Sequence, residues 1–156
     1  MTLTARPTNE ADLPALANLF NHTVRMGGTT AHEEEWDVAT FKVEYFDLPA
    51  IIHTVLNDDE PIGFQAVFAR DEGVLSIGSF TDQRKPVRGA GSVMFEATKQ
   101  AAKAAGYSSI IAKIRADNVP GLAYYAKMGF EDYKIDKDVP LLDGTPMDRI
   151  TKRLVL

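Results

Sequence analysis

The chain has 156 residues, enough for one domain with a sizeable core and cramped for two. Its net charge of −5 argues against a nucleic-acid partner, and no apolar run approaches the roughly 20 residues a membrane span needs. With no cysteine and only three histidines, none at H-x-H or H-x-x-x-H spacing, disulfides, a thiol nucleophile and a metal site are not expected.

The first stretch, "LTARP" (3–7), reads as a short strand. Thr8 or Asn9 can cap a helix whose apolar residues Leu13, Leu16, Leu19, Phe20 and Val24 follow helical spacing. "RMGGTTAHEEE" is a loop by its glycines, and "WDVATFKVEYF" offers Trp36, Phe41, Tyr45 and Phe46 as a second, shorter helix. Two strands, "AIIHTVL" and "IGFQAVFA", flank the turn-rich "NDDEP", and "RDEG" turns the chain into a fourth strand, "VLSIGSFT". A glycine-containing loop then opens a helix over 92–105, which Gly106 can end in a left-handed cap. "SSIIAKIR" follows as a buried strand, "VPGLAYYAKM" as a helix, and "GFEDYKID" and "DRITKRLVL" as the last strands. The order βααβββαβαββ predicts one α/β domain over 1–156, a sandwich around a mixed, mostly antiparallel sheet. The opening "MTLTARPTNEADL" lacks the basic-then-apolar layout of a secretory signal, and together with the missing cysteines this suggests a cytoplasmic protein.

The stretch "PVRGAGSVM" is where chemistry first shows. A strand running through a glycine-containing loop into a helix gathers unpaired backbone N–H groups at the positive end of the helix dipole. Gly89 and Gly91 remove side chains that would keep an anion at a distance, and Arg88 adds a fork of donors suited to phosphate. A phosphate or pyrophosphate is the expected guest, against the plainer reading of a tight strand-to-helix turn. No Gly-Lys pair exists for a P-loop, and "GAGSVM" carries only G-x-G of a dinucleotide fingerprint.

From Arg88 to Tyr133 the sequence resembles the GCN5-related N-acetyltransferase (GNAT) superfamily. That family's acetyl-CoA loop, [QR]-x-x-G-x-[GA], is similar to the run in which Arg88, Gly91 and Val93 hold the motif positions, Val93 standing where Gly or Ala is usual. Its second motif, an Asn before a helix carrying Y-x-x-x-G-F, is matched by Asn118 and by Tyr125-Ala-Lys-Met-Gly129-Phe130. The resemblance implies a GNAT-like α/β/α sandwich with a splayed sheet and an acetyl-CoA-dependent N-acetyltransferase. By the same resemblance, the backbone of Arg88, Gly89, Ala90, Gly91, Ser92 and Val93 would cradle the CoA pyrophosphate. Phe80 and Thr81 would pair with the pantetheine arm, and Asn118 would hydrogen-bond it and hold a splay between the fifth and sixth strands. Tyr125 would protonate the departing thiolate, while its neighbour Tyr124 reads as a core aromatic. Homodimers are common in the family.

The proton acceptor is open on sequence. The fourth strand has no carboxylate, so the candidates are Asp82 just beyond it, the run Glu33-Glu34-Glu35 beside His32, or a water; the run also reads as the solvated start of a helix. His53, inside an apolar strand, reads as structural. "FNHTVRMGGTTAHEEEW" resembles a segment of phosphinothricin and methionine-sulfoximine acetyltransferases through Asn21, His22, Val24 and Thr29 or Thr30, which implies a small amino-acid-like acceptor. An acidic protein could instead take polyamines, and a protein N-terminus is a third acceptor. The rival from another class is a non-catalytic acyl-CoA-binding or regulatory domain.

Overall fold

The structure is a computed structural model describing residues 1–156. Strand β1 (Leu3–Pro7) leads into a single tight turn of helix at Glu10–Asp12. There Asp12 accepts from the Asn9 amide through its carboxylate and donates its own amide to the Asn9 carbonyl, which fixes where α1 (Leu13–Met26) starts. All five apolar residues expected on the buried stripe of α1 are buried, with Ala17 and Thr23 beside them, and Gly27 ends the helix at φ 68°. The second helix, α2 (Val38–Lys42), widens into one π turn over Val43–Asp47, and Asp37 caps it by accepting from the Thr40 amide. Helix α3 (Ala90–Ala104) begins two residues earlier than the sequence suggested, because Gly89 takes a left-handed conformation (φ 92°) and caps it. Helix α4 spans Val119–Lys127.

Seven strands form one sheet in the order β1-β2-β3-β4-β5-β7-β6: β2 Ile51–Asn57, β3 Glu60–Ala69, β4 Val74–Thr81, β5 Ser109–Arg115, β6 Glu131–Pro140 and β7 Pro146–Val155. All neighbours are antiparallel except β4 and β5. That parallel pair holds only from Val74↔Ser109 to Ser76↔Ile111, although β4 continues to Thr81 and β5 to Arg115. The splay therefore opens between the fourth and fifth strands. The expectation of a splay between the fifth and sixth is corrected: β7 inserts beside β5, and β6 is an edge strand.

Strand alternation sorts the core onto the two faces. Phe64, Ala66 and Phe80 join Leu13, Leu16, Phe20, Phe41 and Tyr45 on the face covered by α1 and α2. On the other face Val67, Leu75, Ile77, Ile110 and Ile114 pack with Phe95 of α3, Tyr125 of α4 and Phe130. The motif Y-x-x-x-G-F has a local reason here. Gly129 turns the chain at φ 100° directly after α4, and Phe130 tucks back against Tyr125 with ring centroids 5.2 Å apart.

Candidate active site

Where β4 and β5 part, a cleft of about 440 Å³ opens. Its walls are the far end of β4 (77–81), residues 113–115 of β5, the starts of α3 and α4, and the loop residues 29–32, with Tyr45 behind them. Beyond Ser76, β4 has no strand on this side, so the backbone N–H and C=O groups of Ile77, Ser79 and Thr81, the alternate residues that do not bond to β3, stand unpaired along the cleft. Six of the ten residues singled out in the sequence meet here: Phe80, Thr81, Ala90, Gly91, Asn118 and Tyr125. The Phe80 side chain belongs to the aromatic cluster under α1 and its backbone faces Phe64 of β3, so the free strand edge beside it is supplied by Ser79 and Thr81.

The other four lie around the cofactor loop without lining the cleft. Arg88 and Ser92 are exposed and Gly89 caps α3, whereas Val93 does not line the cleft and packs against the small cluster of Val55, Ile62, Ala90 and Met94. A valine at that motif position therefore leaves the mouth of the cleft unobstructed. The amides of Ala90 and Val93 bond to Val87 and Gly89, while those of Gly91 and Ser92 have no backbone acceptor. Two free donors at the start of a 15-residue helix, with Arg88 making no ion pair beside them, form an anion-binding corner. The reason for Gly91 is partly internal: a Cβ there would lie 2.6 Å from Tyr124 Cε1.

Asn118 caps α4 by accepting from the Gly121 amide at 3.0 Å, and its Nδ2 donates to the Thr29 carbonyl, tying the α1–α2 loop to the start of α4. Deeper in the cleft, polar side chains join in a continuous run. Tyr124 Oη donates to the Gly91 carbonyl (2.8 Å), Gln65 Nε2 donates to Tyr124 Oη (3.0 Å) and to Ser79 Oγ (2.8 Å), and Ser79 Oγ lies 2.7 Å from Tyr125 Oη. Burial pushes the Tyr125 phenol up to about 12, opposed by the hydrogen bond from Ser79. Tyr124 is thus more than a core aromatic, since its hydroxyl links α4 to the loop.

On the opposite wall His32 Nε2 meets Tyr45 Oη at 2.7 Å inside a box of Phe20, Trp36 and Phe80. Burial holds the imidazole below the ordinary histidine value, so it is neutral at pH 7. The four candidate carboxylates all lie outside the cleft. Glu33 accepts from the Leu142 amide, Glu35 pairs with Arg25, Glu34 is exposed, and Asp82 is held by Arg84. The charged residues that do line it are Lys113 and Arg115. Arg115 is engaged by Asp117 through Nε (3.0 Å) and Nη2 (2.9 Å), whereas Lys113 is exposed and forms no ion pair.

The sequence profile described as the acetyltransferase (GNAT) family matches residues 14–130. This chain is a GNAT-family member. None of the curated proteins compared with the chain matches it. Among solved structures, the GNAT fold seen here is similar to a phosphinothricin acetyltransferase from Sinorhizobium meliloti in complex with acetyl-CoA (TM-score 0.89, 19% identity, covering 100% of this chain and 89% of that one). It is also similar to YncA, an acetyltransferase from Salmonella typhimurium with its cofactor acetyl-CoA (TM-score 0.84, 16% identity, covering 100% and 95%). A third is a ribosomal-protein-alanine N-acetyltransferase from Brucella melitensis (TM-score 0.83, 19% identity, covering 97% and 99%). At these identities the likeness speaks for the fold alone, and the neighbours' names span different acceptors.

Proposed function

We propose that this GNAT-family protein transfers an acetyl group from acetyl-CoA to the amine of a small, carboxylate-bearing acceptor. The observation that carries the reading is one cleft joining three features: a free strand edge, an anion corner and a phenol. The unpaired groups of Ile77, Ser79 and Thr81 suit an amide-rich pantetheine arm, which can add like a strand. The amides of Gly91 and Ser92, with Arg88 nearby, suit the pyrophosphate. Acetyl-CoA supplies a thioester whose carbonyl carbon is open to attack by an amine.

Tyr125 gives its proton to the sulfur as the C–S bond breaks and the electron pair leaves on it; solvent returns the proton to the phenol. His32 takes the proton that the acceptor's ammonium must lose, at Nδ1 directly or at Nε2 by way of the Tyr45 hydroxyl, and passes it to solvent. The second N–H proton leaves to solvent once the C–N bond has formed and balances the one returned to Tyr125. Lys113 and Arg115 favour an acceptor with a carboxylate. A polyamine would meet cations and no anion, and like charges across an interface oppose binding. This keeps the amino-acid-like acceptor and sets the polyamine behind it.

Calorimetric titration with acetyl-CoA, using ATP and NAD as controls, tests the first half. Saturable binding of acetyl-CoA alone is expected, and equal binding of all three would reduce the corner to a generic anion nest. Release of CoA with a panel of amino acids and polyamines tests the second half. The chain has no cysteine, so a thiol reagent reads only product. Binding without turnover on any amine would favour the non-catalytic acyl-CoA-binding domain.

A further inference from the structure

Gln65 is a polar residue in the middle of an apolar strand, fully buried, and its Oε1 has no hydrogen-bond partner. A buried amide with an orphaned oxygen calls for an explanation, because a leucine would fill the same space without leaving one. The geometry around its nitrogen provides one. The Gly91 carbonyl can only accept, so the Tyr124 hydroxyl at 2.8 Å must donate to it. With its hydrogen committed there, Tyr124 Oη can only accept from Gln65, which places Nε2 and not Oε1 against it at 3.0 Å. The second hydrogen on the same nitrogen points to Ser79 Oγ at 2.8 Å. Ser79 therefore receives a hydrogen bond, and Tyr125 Oη, 2.7 Å away, is the remaining partner for its own hydroxyl hydrogen.

We propose that Gln65 is a positioning residue which, by donating both amide hydrogens, sets the direction of the chain Gln65–Ser79–Tyr125 so that Ser79 donates to the phenol oxygen and the phenol hydrogen stays free for the cleft. Register supports this: Gln65 and Ser79 are directly opposed on β3 and β4, so they share the face that α4 covers with Tyr124 and Tyr125. The orphaned Oε1 is the counterpart of using both N–H groups. When Tyr125 gives up its proton, the Ser79 hydroxyl already points at the oxygen that becomes negative, and no rotation is needed at that moment. The Tyr124 branch anchors the same amide to the first turn of α3 and so keeps the direction from reversing.

The inference rests on Tyr125 acting as the acid, and a double-variant cycle separates the two. Ser79→Ala and Gln65→Leu should each lower kcat about 10-fold while the acetyl-CoA Kd stays within about two-fold. Ser79→Thr, which keeps a hydroxyl, should restore most of the loss. In a Tyr125→Phe background neither change should slow the enzyme further, because the group they orient is gone. Losses that multiply with Tyr125→Phe would overturn the proposal, as would unchanged kcat in both single variants beside a slow Tyr125→Phe. Full turnover in Tyr125→Phe would remove the acid reading itself, and the directed chain with it. Should Gln65→Leu fail to fold, the Ser79 and Tyr125 variants complete the cycle alone.

Discussion

The two walls of the cleft treat their titratable groups in opposite ways. On the α4 side, Tyr125 ends a chain of hydrogen bonds that runs through Ser79, Gln65 and Tyr124 to the first turn of α3. On the α1 side, the His32 ring has a single polar partner, Tyr45, and is otherwise walled by Phe20, Trp36 and Phe80. Burial alone pushes both groups toward their neutral forms, the phenol upward and the imidazole downward. A neutral phenol is a proton donor and a neutral imidazole a proton acceptor. Low dielectric therefore assigns the two roles, and the hydrogen-bond chain improves only the acid by stabilising the phenolate it leaves.

The largest effect should come from removing the acid. Tyr125→Phe should lower kcat about 100-fold or more with the acetyl-CoA Kd retained, measured by thiol release and calorimetry. An equal loss in binding would mean that the phenol serves to pack the cleft. On the opposite wall, His32→Gln should lower kcat by about 10- to 100-fold at pH 7. That deficit should shrink as pH rises toward the acceptor amine's own pKa, where less of the amine needs deprotonation. For the unaltered enzyme, the acid limb of kcat should lie below the ordinary histidine value of about 6.5, because burial lowers the His32 pKa and the neutral form persists to lower pH. A deficit independent of pH would break the contrast between the walls.

Much of the α4 wall was legible in sequence and little of the α1 wall was. Asn118, Tyr125, Gly129 and Phe130 stand at fixed spacing on one turn-helix-turn segment, so local reading places them together. Gln65 and Ser79 meet only through the β3–β4 register, and the one local signal was a glutamine within "IGFQAVFA". His32 was overshadowed by the three glutamates after it, whose charges the fold turns elsewhere. Element order followed from hydrophobic alternation and from glycines at turns. The neighbour relation β5-β7-β6 did not, because pairing between distant strands leaves no periodic mark in either. The same applies to β6, whose ten residues are mostly exposed and polar and which reaches Pro140, beyond the expected end at Asp136.

A smaller effect should sharpen the acceptor side. Lys113→Gln removes the unpaired cation of the cleft and leaves the Arg115–Asp117 pair in place. For an acceptor that bears a carboxylate, the acceptor KM should rise about 5- to 10-fold with kcat little changed, as loss of binding shared by ground and transition states predicts. A polyamine acceptor should bind better in the variant, reversing the sign. A rise confined to the acetyl-CoA KM would instead assign Lys113 to the cofactor.

The smallest effect on turnover, and a separate one on stability, belongs far from the cleft. Asp12 is almost fully buried and accepts from Arg6 Nη1 (2.7 Å) and Nη2 (2.9 Å), from the Asn9 amide and from Thr54. The Arg6 guanidinium, helped by the Asn9 amide, holds its carboxyl below the usual carboxylate range. Because the native value lies below the unfolded one, the unfolded chain binds more protons in that window. The stabilisation is therefore complete above about pH 4 and is lost as pH falls through the native value. Asp12→Asn should cost about 2 kcal/mol at pH 7, with kcat unchanged, and should flatten the acid side of the stability curve. Denaturant titrations of both proteins between pH 7 and pH 3 measure this, since subtracting the curves cancels the other lowered carboxyls, Asp37, Asp82, Asp143 and Asp148. A difference that stays constant with pH would show that the carboxyl acts by shape and capping, with its charge contributing nothing.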